Sequence, residues 1–235
     1  KTHNNNAPLG DVCQIMTKKN IKYCVVVMDY GMLVVVNSND FKLSGTISSL
    51  QSPRYIMPVT FNIAYVSDLY ANAISIIDLN TNAKIGSIPC SGWTEQMVLI
   101  YNKAFVTNNK SNYTYVINTI TDQITDSIYV GKFGGSIVTD KNSKIWILST
   151  GDTPNSVVGK LHRIDPVTLQ IELSLPFASN DSPNNLCINA TKDTLYFLNT
   201  SVYRMPVNSG ALPGSAFITS SSNTFYGLGV SDTDY

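Results

Sequence analysis

The sequence predicts an all-β fold, a β-propeller built from four-stranded antiparallel blades, and three observations carry that expectation. The first is a unit, Ala64 to Cys90, that reads as three short strands joined by two turns. Tyr65-Val66 is apolar and β-prone. Ala73 to Asp78 brings Ile74, Ile76 and Ile77. Lys84 to Pro89 alternates polar and apolar residues, the period of a half-buried strand. The second is that this unit recurs. The residue closing the middle strand is Asn37, then Asp78, Asn118 and Asp165, at steps of 41, 40 and 47 residues. Nine residues after each comes a small hydroxyl residue, Thr46, Ser87, Ser127 and Ser174. Spacing of about 40–45 residues with about four strands per copy is the pattern of propeller blades. The third is composition. Only 14% of residues are charged, and polarity comes from Asn, Ser, Thr and 13 Tyr, which fits an exported all-β protein.

Taken in order, residues 1–10 form a loop, and Asp11 to Lys18 is the inner strand of blade one. Lys22 to Tyr30, Gly31 to Asn37 and Phe41 to Ser48 complete that blade. Blade two begins at Pro53 to Val59 and continues through the repeated unit. Blade three runs from Trp93 to Val98, then through Ala104 to Asn108, Tyr113 to Asn118 and Asp126 to Val130. Blade four runs from Gly134 to Val138, then through Ile145 to Ser149, Lys160 to Asp165 and Glu172 to Pro176. The longer 47-residue step falls here, on a predicted loop from Ser149 to Gly159. Blade five begins at Pro183 to Ile188, passes through Leu195 to Asn199 and Val202 to Pro206, and ends near Ala216 to Thr219. Phe225 to Val230 reads as the opening strand of a sixth blade. Residues 1–235 are thus expected to be one propeller domain with about five blades present, truncated at both ends. Seven blades need roughly 300 residues by the repeat arithmetic, and a ring must close to remove exposed sheet edges.

Charge and cysteine usage exclude several function classes. Lys+Arg and Asp+Glu number 16 each, with no basic stripe, so nucleic-acid binding has no electrostatic footprint. No apolar run approaches the roughly 18–20 residues of a membrane helix, so no transmembrane segment is expected. Cys13, Cys24, Cys90 and Cys187 show no CxxC spacing, which argues against zinc. They read as small buried thiols, with one unassigned disulfide as the alternative. Neither His3 nor His162 has a catalytic setting, and no Gly-x-Ser-x-Gly or His-Glu-x-x-His motif is present. Gly131-Lys132-Phe133-Gly134-Gly135 feeds a strand and lacks the Gly-Lys-Ser/Thr ending of a phosphate loop. No cofactor, metal or catalytic residue is expected.

The segments Ala64-Tyr65-Val66-Ser67-Asp68 and Ile74 to Asn82 resemble the YVTN-repeat, YncE-like propellers. Pro8 to Val12, Ser52 to Tyr55, Ala64 to Ala71, Thr94 to Met97, Leu161 to Gln170 and Tyr226 to Gly229 extend the likeness across nearly the whole chain. They bring it nearest the exported Bacteroidota subgroup that includes the surface lipoprotein BtuG. The resemblance implies a seven-bladed ring at the cell surface or in the periplasm, associated with the outer membrane. It also implies a cobalamin-like ligand and an outer-membrane TonB-dependent transporter, or another envelope protein, as partner.

In a propeller, the loops entering each innermost strand share one face with the loops between second and third strands. On that face the sequence places Arg54, Tyr55, Asp68, Tyr70, Trp93, Glu95, Gln96, Asn108, Tyr113, Asn184 and Tyr226. Asp11, Gln14, Asp29, Tyr30, Lys110, Phe133, Asp152, Asn185 and Phe225 stand beside them. Aromatics supply flat apolar contact and amides supply oriented hydrogen bonds, the combination a small-molecule mouth needs. The expected function is therefore a non-catalytic binding protein that presents this face to a small molecule or a transporter. The alternatives are a scaffold subunit of a larger envelope or secretion complex, or a lactonase- or lyase-like enzyme.

Overall fold

The computed structural model describes the backbone of residues 13–19 and 22–27 and the whole of residues 31–220 and 225–231. The expected residues Asp11, Asp29 and Tyr30, and the side chains of Gln14, Cys13 and Cys24, lie outside the described part. The strands form successive antiparallel meanders. Blade one is β1 (Cys13–Lys19), β2 (Lys22–Val27), β3 (Met32–Asn37) and β4 (Leu43–Ile47). Blade two is β5 (Pro53–Pro58), β6 (Ile63–Asp68), β7 (Ala73–Asp78) and β8 (Ala83–Pro89). Blade three is β9 (Thr94–Ile100), β10 (Lys103–Asn108), β11 (Tyr113–Asn118) and β12 (Gln123–Tyr129). Blade four is β13 (Gly134–Thr139), β14 (Ile145–Asp152), β15 (Val157–Ile164) and β16 (Ile171–Pro176). In blade five, β17 (Asn184–Ile188), β18 (Thr194–Asn199) and β19 (Ser201–Pro206) are joined by a single bridge, Val202 to Ile218, where the fourth strand was expected. The first strands β1, β5, β9, β13 and β17 touch one another in that order, which stacks the sheets around a common axis. This is the propeller-like all-β arrangement expected from the repeat.

The middle strands of blades two, three and four read as unbroken apolar runs because each of these sheets is covered on both faces by neighbouring blades. Side chains alternate between the two faces of a strand, and here both faces are core. Ile56, Ala64 and Val66 pack towards blade one with Leu33, Val35 and Ile47. Their neighbours Met57 and Tyr65 pack towards blade three with Met97, Ala104 and Val106. In blade four Ile145 and Ile147 face Phe105 and Val116 of blade three. Trp146 and Leu148 face Leu186 and Phe197 of blade five. Each of these four apolar clusters is one blade–blade interface. Cys90 is buried in one of them, and burial pushes its thiol up to about 12. Cys187 is half-buried and raised by burial to about 11. Both thiols are free.

The residues that mark the repeat hold its outer turn. The Asp78 carboxylate accepts the amides of Asn80 and Thr81. Asn118 does the same for Ile120 and Thr121, and Asp165 for Val167 and Thr168. Asn37 accepts the amide of Asn39. A short acceptor side chain at this position replaces backbone pairing through the turn. The Lys144 ammonium lies 2.6 Å from the Asp165 carboxylate, and that hydrogen bond, with those from the Thr168 and Val167 amides, holds Asp165 well below the usual carboxylate range. The hydroxyl residues nine positions on pair across to the middle strand, Thr46 with Val34, Ser87 with Ser75 and Ser127 with Tyr115.

Two expectations are corrected. The stretch from Ser149 to Gly159 is not a long loop. β14 and β15 extend into it as a hairpin, pairing Gly151 with Val158 and Asp152 with Val157, closed by a short 3-10 turn over Thr153–Asn155. Gly151 permits this by adopting φ +83°, where a Cβ would lie 2.4 Å from the Gly159 nitrogen. Phe225 to Val230 forms no strand. It lies beside β17 through Asn185 Nδ2, which donates to the Tyr226 carbonyl at 3.3 Å, and Cys187 Sγ, 3.8 Å from the Leu228 carbonyl. No neighbouring strand completes a ladder there among the described residues. His162, expected on a strand face, is 4% exposed, with Nε2 3.1 Å from the Val130 carbonyl. Burial lowers its pKa.

Candidate functional site

Each first strand breaks its register with β2, β6, β10, β14 or β18 at the same place. One extra residue is inserted between Cys13 and Ile15, Pro53 and Tyr55, Thr94 and Met97, Gly134 and Ser136, and Asn184 and Cys187. A bulge of this kind twists the strand and re-aims the side chain it carries. Arg54, Gly135 and Asn185 sit at these insertions, and Glu95 and Gln96 share the one in β9. Asn185 takes the left-handed conformation, φ +53°, which Asn tolerates better than most residues.

These bulges surround a cavity of about 210 Å3 lined by Arg54, Glu95, Gln96, Asn109, Phe133, Gly135, Ser136, Leu148, Thr150, Asn184 and Asn185. Four successive blades contribute. Arg54 Nε donates to Glu95 Oε2 at 2.9 Å, with the two side chains 24% and 13% exposed. Asn109 Nδ2 donates to Glu95 Oε1 at 3.1 Å. Gln96 Oε1 accepts the Ile137 amide of the next blade at 3.1 Å. Asn185 Nδ2 donates to Asn184 Oδ1 at 2.7 Å, and Asn184 Nδ2 to the Ser182 carbonyl at 3.1 Å. Gly135 is small for a reason, since a Cβ there would lie 2.7 Å from Asn109 Oδ1.

Burial pushes the Glu95 carboxyl above the usual carboxylate range, while the Arg54 charge and the hydrogen bonds from Arg54 and Asn109 pull it back in part. Because the folded pKa is raised, the native state holds this proton more tightly than the unfolded chain. Glu95 therefore adds stability below about pH 4.5, the ordinary value, and that contribution fades as pH rises through its folded pKa. Glu95→Gln lacks this component, so its thermal midpoint is expected to fall less than that of the unaltered protein as pH rises above about 4.5. Identical slopes for the two proteins would contradict it.

Of the residues placed at the mouth from sequence, Arg54, Glu95, Gln96 and Asn184 line the cavity. Trp93 and Tyr70 stand on the same face, edge to face at 6.3 Å, 40% and 58% exposed. The Lys110 ammonium lies 5.7 Å from the Trp93 ring centre. Trp93 is tied to the cavity through its carbonyl, which accepts the Asn109 amide at 2.8 Å. The other candidates are elsewhere. Asp68 is fully buried, and its carboxylate accepts the amides of Gln51, Ser52, Tyr70 and Ala71. Asn108 repeats the role in blade three, accepting Trp93, Lys110 and Ser111 amides and donating to the Ser91 carbonyl. Both fasten loops rather than meet a ligand. Tyr55 packs on the apolar core between blades two and three, and burial raises its phenol. Tyr113 packs edge to face on Tyr129 at 5.5 Å, towards the outer strand. Tyr226 is wholly exposed and does not line the cavity. A groove along the outer strand β8 is larger, about 560 Å3, but open, and Lys84 is its one charged residue.

Asn109, Ser136, Leu148 and Thr150 were missed from sequence. Ser136 was within reach, because Arg54, Glu95 and Ser136 are separated by 41 residues each. Asn109 sits beside the loop-fastening Asn108 and carries no separate signal. Among the described residues no three His, Cys, Asp or Glu side chains converge as metal ligands.

Comparison with known proteins places the chain in a family. The profile described as "Domain of unknown function (DUF5074)" matches residues 1–233. The chain belongs to the DUF5074 family. No curated protein matches its sequence. Solved structures show the same fold at low identity. Kuenenia stuttgartiensis hydrazine synthase superposes with a TM-score of 0.70 at 14% identity, over 86% of this chain and 67% of that one. The dihydro-heme d1 dehydrogenase NirN, solved in complex with DHE, gives 0.63 at 14% identity, over 83% and 47%. The computationally designed Ika8 protein gives 0.66 at 11% identity, over 85% and 60%. The DUF5074 chain thus spans about half to two-thirds of the length of these proteins. At such identities the likeness concerns the fold, and function rests on the site.

Proposed function

We propose that this DUF5074 protein is a non-catalytic binding protein of the cell envelope that takes a small molecule at the channel mouth. The observation that carries the reading is the convergence of Arg54, Glu95, Gln96 and Asn184 from successive blades on one cavity beside exposed Trp93 and Phe133. Polar groups that fix orientation, set next to aromatic surface, are what small-molecule sites use. Non-catalysis is supported by the local chemistry. Both Glu95 oxygens are engaged by Arg54 and Asn109, and His162 is buried inside blade four. The resemblance to YncE-like propellers supplies the finer parts of the proposal: a seven-bladed ring, export to the outer membrane, a cobalamin-like ligand and a TonB-dependent transporter as partner.

A second reading, a scaffold subunit, is favoured by Phe61, Tyr101 and Ile120, which are 68%, 60% and 76% exposed on loops of the opposite face. The two separate by titration. The chain has two tryptophans, Trp146 fully buried and Trp93 at the rim. Titration with a corrinoid panel is expected to quench fluorescence saturably. The response should vanish in Trp93→Phe and weaken in Tyr70→Ala. Absence of a saturable response to every corrinoid would remove corrinoid capture.

A further inference from the structure

We infer that the ligand group entering the channel mouth is neutral and rich in hydroxyls, in chemical class a saccharide ring. This rests on the reading of the mouth as a small-molecule site and narrows what fits it.

Charge comes first. Arg54 and Glu95 are the charged residues lining the cavity, and they face each other at 2.9 Å. An ionic ligand would give up its hydration without gaining an uncommitted counter-charge, the costly case for a buried ion. A neutral ligand does not incur that cost.

Hydrogen-bond capacity comes second. The Gln96 oxygen and the Asn185 amide nitrogen are used within the protein. That leaves the Gln96 –NH2 as a donor and Asn185 Oδ1 as an acceptor, with the hydroxyls of Ser136 and Thr150 able to do either. Donors and acceptors mingle within one small space. A hydroxyl both donates and accepts, so a polyol matches this lining in more than one orientation. A carboxylate or phosphate only accepts, and an ammonium only donates.

Shape comes third. Phe133 lines the cavity and is 40% exposed, giving a flat apolar face on which the C–H side of a sugar ring can lie. The cavity of about 210 Å3 falls below the roughly 300–1,000 Å3 of a drug-sized site. It suits one ring, or one ring of a longer ligand whose remainder extends over the rim.

The test is isothermal titration of the full chain with a panel of neutral mono- and disaccharides, with glucuronic acid, with glucosamine and with cyanocobalamin. Saturable binding of a neutral saccharide is expected, with the acidic and cationic analogues at least about tenfold weaker. Thr150→Val should weaken it about tenfold at an unchanged thermal midpoint, and Gln96→Ala should weaken it about tenfold with a lowered midpoint, because the Ile137 amide loses its acceptor, while Tyr113→Ala, outside the cavity, should leave it intact. Equal or tighter binding of a charged analogue overturns the inference, as does saccharide binding that ignores both cavity variants. Binding of cyanocobalamin with no saccharide binding also overturns it and leaves the small-molecule reading standing. If no probe of the panel binds, both readings fall.

Discussion

Asp68→Ala is expected to destabilise the protein by about 3–5 kcal/mol, far more than an ordinary polar-to-alanine change in a loop. The carboxylate is fully buried at the end of β6 and accepts four backbone amides, those of Gln51, Ser52, Tyr70 and Ala71, at 2.8–3.1 Å. Its own amide donates to Thr94 Oγ1 at 2.9 Å, tying the loop to the next blade. Removing the carboxylate strands several donors at once, and each buried donor left unmade costs about 1–3 kcal/mol, partly relieved by entering water. Asp68→Asn tests the mechanism. Blade three shows how Asn serves here, because Asn108 Nδ2 finds the Ser91 carbonyl. In blade two the corresponding oxygen receives the Gln51 and Ser52 amides, so an –NH2 would face donors. The Asn variant is therefore expected to lose a substantial part of the same stability in urea unfolding. A loss below about 1 kcal/mol in the Ala variant would contradict this account.

The second large effect is expected at Trp146. Its ring is fully buried in the interface between blades four and five, against Leu161, Leu186 and Phe197. Its indole nitrogen donates to Asp140 Oδ2 at 2.9 Å, and Asp140 is itself 4% exposed, holding the Asn142 and Lys144 amides. Trp146→Ala should cost about 4–5 kcal/mol, the upper part of the range for a large aromatic truncated in a core. Trp146→Phe keeps most of the apolar contact and removes the donor to Asp140. It is expected to cost about 2–3 kcal/mol, the scale of one buried hydrogen bond lost with its acceptor left unpaired plus a small cavity. Equal losses in the two variants would show that the hydrogen bond, not the packing, dominates.

The fold was legible because two local signals repeat. The turn acceptors Asn37, Asp78, Asn118 and Asp165 have a backbone job that few other residues can do, so their spacing reports the blade length directly. The apolar runs between them report sheets buried on both faces. The stretch after Ser149 misled for a physical reason: Gly, Asp, Thr, Pro and Asn are turn residues, yet Gly151 at positive φ lets the hairpin continue through them. The site was legible in part. Arg54, Glu95, Gln96 and Asn184 follow from knowing which strand is innermost. Asp68 and Asn108 look the same in sequence as ligand-facing polar residues, but their oxygens are consumed by amides brought close by the tertiary fold. The inner-strand bulges, which decide which side chain turns into the channel, leave no mark in residue type.

The proposed ligand mouth is framed by the bulged inner strands and organised around the Arg54–Glu95 pair. The most direct measurement is calorimetric titration of the double variant Arg54→Met/Glu95→Leu beside the unaltered chain, with cyanocobalamin and a neutral disaccharide as probes. Replacing both ions together avoids leaving one of them buried and unpaired, so the variant is expected to fold. Saturable one-to-one binding of at least one probe to the unaltered chain is expected, with a loss of at least about a hundredfold in the folded double variant. Binding that survives the double substitution unchanged would place the ligand elsewhere on the propeller and contradict the account.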